Sequence, residues 1–185
     1  MGIFVLIACI LMLVIFIALY NRLVRERNFV KNTFSQIDVQ LTRRYDLIPN
    51  LVEVAKNYLE HERETLIKVT EARNSALSAL KTKQLDQLAS ADRHLNAALT
   101  GLFGTIENYP DLKANQQMQS LHEELISTEE RVAFARQAYN DSVTDYNNTR
   151  EQFPANLVAS LFGFQESALL EIEDLNKRQT VRVQF

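Results

Sequence analysis

LTRRYDLIPNLVEVAKNYLEHE, residues Leu41–Glu62, is the stretch on which the fold turns. Apolar residues recur at helical spacing on both sides of it, yet it holds two arginines, an aspartate and Pro49. Proline lacks an N–H, clashes with the carbonyl four residues back, disfavours helix in the residue before it and is best tolerated in a first turn. Asp46, three positions ahead of it, is a good N-cap residue. The stretch therefore reads as a corner. A first helix ends near Tyr45, and Asp46 caps a second that runs from about Leu47 to Leu80. Arg43 and Arg44 then sit at the end of the first helix, where cations suit the helix dipole. One observation favours the alternative of a single kinked helix: the apolar stripes before and after Pro49 stay in phase.

Upstream, Val30, Phe34, Ile37 and Leu41 form one stripe at three- and four-residue spacing, and neither Pro nor Gly separates it from Ile3–Tyr20, IFVLIACILMLVIFIALY. Those 18 residues carry no charge, and about 20 apolar residues cross a hydrocarbon core of about 30 Å. The segment reads as a transmembrane helix with Tyr20 as an interfacial aromatic. A cleaved signal peptide would have a basic n-region, which Met1-Gly2 does not supply. A lipidated Cys9 is the weaker reading, since only eight residues precede it and the apolar run continues beyond. Arg22, Arg25, Arg27 and Lys31 follow the segment, so the positive-inside rule places residues 21–185 in the cytoplasm and the N-terminus outside. The first helix would then project about 35 Å beyond the bilayer at 1.5 Å per residue.

Downstream, the second helix carries Val52, Ala55, Leu59, Leu66, Val69, Ala76 and Leu80 on one stripe. A third fits Gln84–Asn108, with Leu85, Leu88, Leu95, Leu99, Leu102 and Ile106 inward. ENYPDLKAN (Glu107–Asn115) forms the next corner, with Asp111 as a cap. The fourth helix holds a heptad seam of coiled-coil type from Met118 through Leu125, Val132, Tyr139 and Tyr146 to Phe153. Gly (4) and Pro (3) are scarce, so little material is left for sheet turns. The expected fold is all-α: an N-terminal transmembrane helix continuing into a long antiparallel four-helix bundle, with a C-terminal extension. The boundaries are residues 1–20, 21–153 and 154–185.

The chemistry-bearing residues point away from an enzyme. His61, His94 and His122 lack the Glu-x-x-His spacing of bundle di-metal sites and the zinc-protease signature. His61-Glu62 and His122-Glu123 read as solvated. There is no phosphate loop and no nucleophile elbow. No metal or cofactor is expected, and a net charge of −3 gives no basic field for nucleic acid. The informative polar residues are those on or beside the apolar stripes: Asp38, Gln40, Arg43, Arg44, Asp46, Glu62 and Arg73, with Asp92 on the third helix. They form either solvated pairs such as Gln40 with Arg44 or a buried network that fixes helix register and grips a partner.

RERNFV, IDVQLTRRYDLIPNLVEVAKNYLEHE, VTEAR, ENYPDLKAN, TEERVAFARQAYN and FPANLVASLFGF, in this order from Asn21 to Phe164, resemble the LemA family. The resemblance implies a bacterial protein with one N-terminal transmembrane helix, a very short outside tail and an intracellular helical bundle, and it favours the break at Pro49. It also implies likeness to proteins of organelle membranes in magnetotactic bacteria. It supplies no catalytic residues. The 21 residues after Phe164 depart from the resemblance, since family members often end there. TVRVQF, the last six, alternates as a strand does, with Val181, Val183 and Phe185 on one side. These three are the candidate assembly residues, because an unpaired strand edge invites another chain. The expected function is a scaffold of the bacterial inner membrane that associates with itself and with the lipid bilayer, with other membrane proteins as further candidate partners. The alternative is a cytoplasm-facing binding module for a signalling or stress-response partner.

Overall fold

The structure is a computed structural model and describes residues 1–170. Val181, Val183 and Phe185 lie outside the described residues. Within them the chain is all-helical, and its elements are α1 (Gly2–Lys56), α2 (Arg63–Thr82), α3 (Leu85–Ile106), α4 (Pro110–Lys113), α5 (Gln116–Glu151) and α6 (Ala155–Leu161).

The corner expected at Asp46–Pro49 does not form. α1 runs unbroken for 55 residues, with Pro49 in its interior, and Asp46 is an exposed mid-helix residue rather than an N-cap. The proline removes the N–H that would bond the Tyr45 carbonyl, and that carbonyl instead accepts a 3.0 Å hydrogen bond from Arg73 Nε on α2. Both flanks of Pro49 are also held by burial: Ile48 and Leu51 are enclosed, as are Tyr45 and Leu41 one and two turns earlier. The in-phase stripes thus describe one helix.

α1 ends instead at the polar run after Lys56. Tyr58 and Leu59 both turn back to donate to the Ala55 carbonyl at 3.0 Å. Leu59 is buried and plugs this corner, and Asn115 donates to the Tyr58 hydroxyl at 3.2 Å. α2 starts only at Arg63, with Glu62 as a half-buried N-cap residue whose side chain makes no capping bond. Lys83, in the left-handed conformation (φ 54°), closes α2 and turns the chain into α3. The expected cap at Asp111 is also displaced. Asp111 lies in the four-residue α4, and Asn115 caps α5 by accepting from the N–H groups of Gln117 and Met118 at 2.9 and 3.1 Å.

α1 is the spine. Its contacts with α5 descend along α5 as they ascend along α1: Arg22 with Thr149, Thr33 with Ser142, Arg43 with Glu124. The two helices therefore run in opposite directions. α2 packs on the outer part of α1 and on α3, and α6 lies against α1 and α5. The fourth-helix seam is the buried face of α5. Met118, Leu121, Leu125, Thr128, Val132, Tyr139, Ser142, Tyr146 and Thr149 are all buried, and Phe153 at its end is exposed. Hydroxyls in the seam are satisfied locally or across it, as in the buried 2.8 Å pair of Thr33 and Ser142. Residues 3–15 of α1 touch little else: every large apolar side chain from Ile3 to Ile15 is exposed.

Candidate functional site

The polar residues on the helix stripes divide into two groups. Arg44 is the centre of the first. It is 3% exposed and does not reach Gln40. It turns inward between α1, α3 and α5, with Nη1 3.5 Å from Asp92 Oδ1 and Nη2 donating to Asn96 Oδ1 at 2.6 Å. Glu129, on the rim, stands 3.5 Å from Nη2. Asp92, 2% exposed, also accepts from Arg136 Nη2 at 2.8 Å through its other carboxylate oxygen. One buried carboxylate thus joins two guanidiniums from different helices, and Glu129 balances the second positive charge from the surface. Of the polar stripe residues, Arg44 and Asp92 are the two brought together in this cluster.

Such a cluster is not by itself a source of net stability. Taking ions out of water costs several kcal/mol each, and their mutual attraction offsets this only when geometry is good. The Tyr45 hydroxyl lies beside the cluster. Burial, and then the Asp92 carboxylate, raise its pKa far above the ordinary phenol value, while Arg136 and Arg44 offset part of the rise. Tyr45 therefore stays neutral at any physiological pH.

Arg73 links the cluster's neighbourhood to the Pro49 site: besides the Tyr45 carbonyl it has Asp46 within 3.9 Å and Asn74 within 3.4 Å. The remaining sequence-predicted residues are peripheral. Arg43 bonds Glu124 at 2.8 Å on the surface. Asp38 is half-buried and has no side-chain hydrogen bond among the described residues, and Gln40 Oε1 is buried without a partner there. His122, expected in solvent, is half-buried with its ring 4.1 Å from that of Phe103.

The second group was not singled out from the sequence. Tyr139-Asn140 and Tyr146-Asn147 are the same dipeptide repeated seven residues apart on α5, and they grip the extended segment 165–170. Tyr146 donates to Gln165 O at 2.8 Å and Tyr139 to Ala168 O at 2.9 Å. Asn147 donates to Ser167 O and accepts from Ser167 N at 2.9 and 3.1 Å. Asn140 does the same at Leu170, at 3.2 and 2.9 Å. Each contact advances by three residues on the segment for every seven on the helix. Seven helical residues rise about 10.5 Å, and three extended residues span about 10 Å, so the two registers match. Burial raises the pKa of both tyrosines. The readable signal was YN at heptad spacing within a helix, where asparagine is otherwise a poor choice.

These residues hold chain to chain. The family model described as LemA family matches residues 33–185. The match therefore includes the last 21 residues, which the sequence resemblance had left outside. The chain is similar to Protein LemA of Metamycoplasma hominis, 27% identical over 165 residues that cover 88% of this chain and 74% of that protein. It is similar to Magnetosome protein MamQ 2 of Paramagnetospirillum magneticum, 24% identical over 171 residues, covering 80% and 63%. Magnetosome protein MamQ of Magnetospirillum gryphiswaldense is 24% identical over 169 residues, covering 79% and 62%. The chain thus spans less than two thirds of the length of these magnetosome relatives.

Proposed function

Because the chain belongs to the LemA family, we propose that it is a non-enzymatic, membrane-anchored scaffold whose long helices act as one antiparallel bundle and associate with further copies. Its place is the bacterial inner membrane, with the N-terminus outside and the bundle in the cytoplasm. The observation that carries this reading is α1. The same unbroken helix is uncharged from Ile3 to Tyr20, with every large apolar side chain from Ile3 to Ile15 exposed, and then forms the buried spine of the bundle. Such a rod transmits position and orientation from bilayer to bundle without a hinge. Relatives named as magnetosome proteins support a role at a membrane.

A second reading rests on an open groove between α1 and α5, about 630 Å³, where Val39 and Phe134 are exposed beside Gln36, Gln40, Arg131 and Ala138. A protein that presents this groove to a signalling or stress-response partner would be a binding module. Light scattering of the full chain in mild detergent separates the two. A defined assembly of several copies supports the scaffold. A monomer at all concentrations refutes it and leaves the module.

A further inference from the structure

Four large apolar side chains at the near end of the bundle are largely exposed. Phe153 is 79% exposed, Leu157 62%, Leu161 71% and Phe162 50%. Leu157 and Leu161, four residues apart, share one face of α6, while Ala155, Val158 and Ala159 are buried on the other. From Gln152 to Gln165 the sequence QFPANLVASLFGFQ carries no charge, and Glu151 and Glu166 bound it.

Position supplies the second observation. The Phe162 ring lies 5.8 Å from Phe16 and 4.9 Å from Tyr20, and Phe164 lies 5.7 Å from Tyr20 with the Arg27 guanidinium 5.0 Å above its ring. Phe16 is inside the uncharged run, four residues before its end at Tyr20, or about 6 Å along the helix axis. α5 descends to this level, since Thr149 meets Arg22. The chain returns from it along the Tyr-Asn pairs of α5. The loop of chain between the two passes is therefore tied to the inner end of the proposed span.

From this we propose that Phe153–Phe162 is a second membrane contact. It is a short interfacial element that rests in the headgroup–acyl boundary of the bilayer that α1 crosses, with Leu157 and Leu161 toward the acyl chains. Interfacial helices bury an apolar face about 5–10 Å deep, which is the depth that the Phe16–Phe162 contact sets. The occupant of this face is lipid. α1 fixes the height of α6, so the bilayer meets it wherever α1 spans. This inference rests on the membrane-anchor reading of α1. It adds that the bundle is seated on the membrane at two points, the span and α6, so that it cannot swing about Tyr20–Arg22.

The test uses the full chain in vesicles of phosphatidylcholine and phosphatidylglycerol. An environment-sensitive fluorophore is placed on Leu157→Cys or Leu161→Cys in a Cys9→Ser background. A control carries it on Phe134→Cys, an exposed position on α5. A third sample carries it on the natural Cys9. Nitroxides at shallow and deep acyl positions report depth. The expected result is blue-shifted emission at Leu157 and Leu161 quenched most by the shallow nitroxide, water-like emission at Phe134, and quenching of Cys9 by the deep one. Water-like emission at both α6 positions with Cys9 still quenched overturns the second contact and leaves the anchor intact. Blue-shifted α6 emission that neither nitroxide quenches means a protein partner covers the face, and it also overturns the proposal. Loss of quenching at Cys9 removes the anchor reading and this inference with it.

Discussion

Replacing Pro49 by alanine probes why a proline is accepted in the middle of a 55-residue helix. The Tyr45 carbonyl has lost its helical donor, and Arg73 Nε supplies one at 3.0 Å. A hydrogen bond from a charged donor contributes about 1.5–3 kcal/mol. Arg73→Met in the natural background should therefore cost about 2 kcal/mol, or about 4–8 °C in Tm for a chain of this length. Pro49→Ala returns an N–H to Tyr45 O and removes a residue that costs about 3 kcal/mol in a helix interior. Because Arg73 already offsets part of that cost, the single substitution should stabilise by about 1–2 kcal/mol. In the Pro49→Ala background the carbonyl no longer needs Arg73, and Arg73→Met should cost less than about 1 kcal/mol. The coupling of about 1–2 kcal/mol between two residues 24 positions apart is the signature. Denaturant unfolding of the four proteins in one detergent, followed by far-ultraviolet circular dichroism, measures it. Equal costs of Arg73→Met in both backgrounds, or destabilisation by Pro49→Ala, would refute the reasoning.

Three further predictions concern the packed helices. Leu125→Ala, at a seam position 4% exposed, should destabilise by about 2–5 kcal/mol and Val132→Ala by less; an unchanged melt would place the α5 seam at the surface. Asp92→Ala leaves Arg44 and Arg136 without their shared carboxylate and should cost about 3–5 kcal/mol, more than the loss of exposed Glu124 opposite Arg43. Tyr45 has a folded-state pKa above its ordinary value of 10.0, so its contribution is complete below about pH 10 and is lost as pH rises beyond it. Tyr139 and Tyr146 act in the same direction. Tyr45→Phe should flatten, without abolishing, the fall in stability measured between pH 9 and 12.

The sequence makes most of the helices legible because burial of one face imposes a period that neighbouring residues share. The stripes of α3 and α5 are buried as their spacing requires, save Leu85 and Phe153 at their ends and the half-buried Ala135. Pro49 defeated the local reading for a specific reason. Its cost is local, but the donor that offsets it, Arg73, comes from another helix, and single-residue preferences do not contain that partner. The in-phase stripe was the better signal, since it reflects tertiary burial. The network shows the same division. Arg44 and Asp92 stood out as charges on apolar stripes, whereas Asn96, Glu129 and Arg136 sit at ordinary positions and became members only through the packing of α3 and α5 around α1. Asp38 stood out equally and joins nothing there. The Tyr-Asn pairs were visible as a repeat, but their meaning required the return path of residues 165–170.

A distance between Arg25 and Glu53, both exposed on α1, tests most directly whether one rod joins bilayer and bundle. Spin labels on Arg25→Cys and Glu53→Cys in a Cys9→Ser background, with the full chain in lipid nanodiscs, report it by pulsed electron resonance. Twenty-eight residues of unbroken helix predict a narrow distribution near 42 Å, at about 1.5 Å per residue. A corner at Asp46–Pro49 would fold the second label back toward the first. A distribution centred near 25 Å, or one spread broadly between the two values, would contradict the continuous helix.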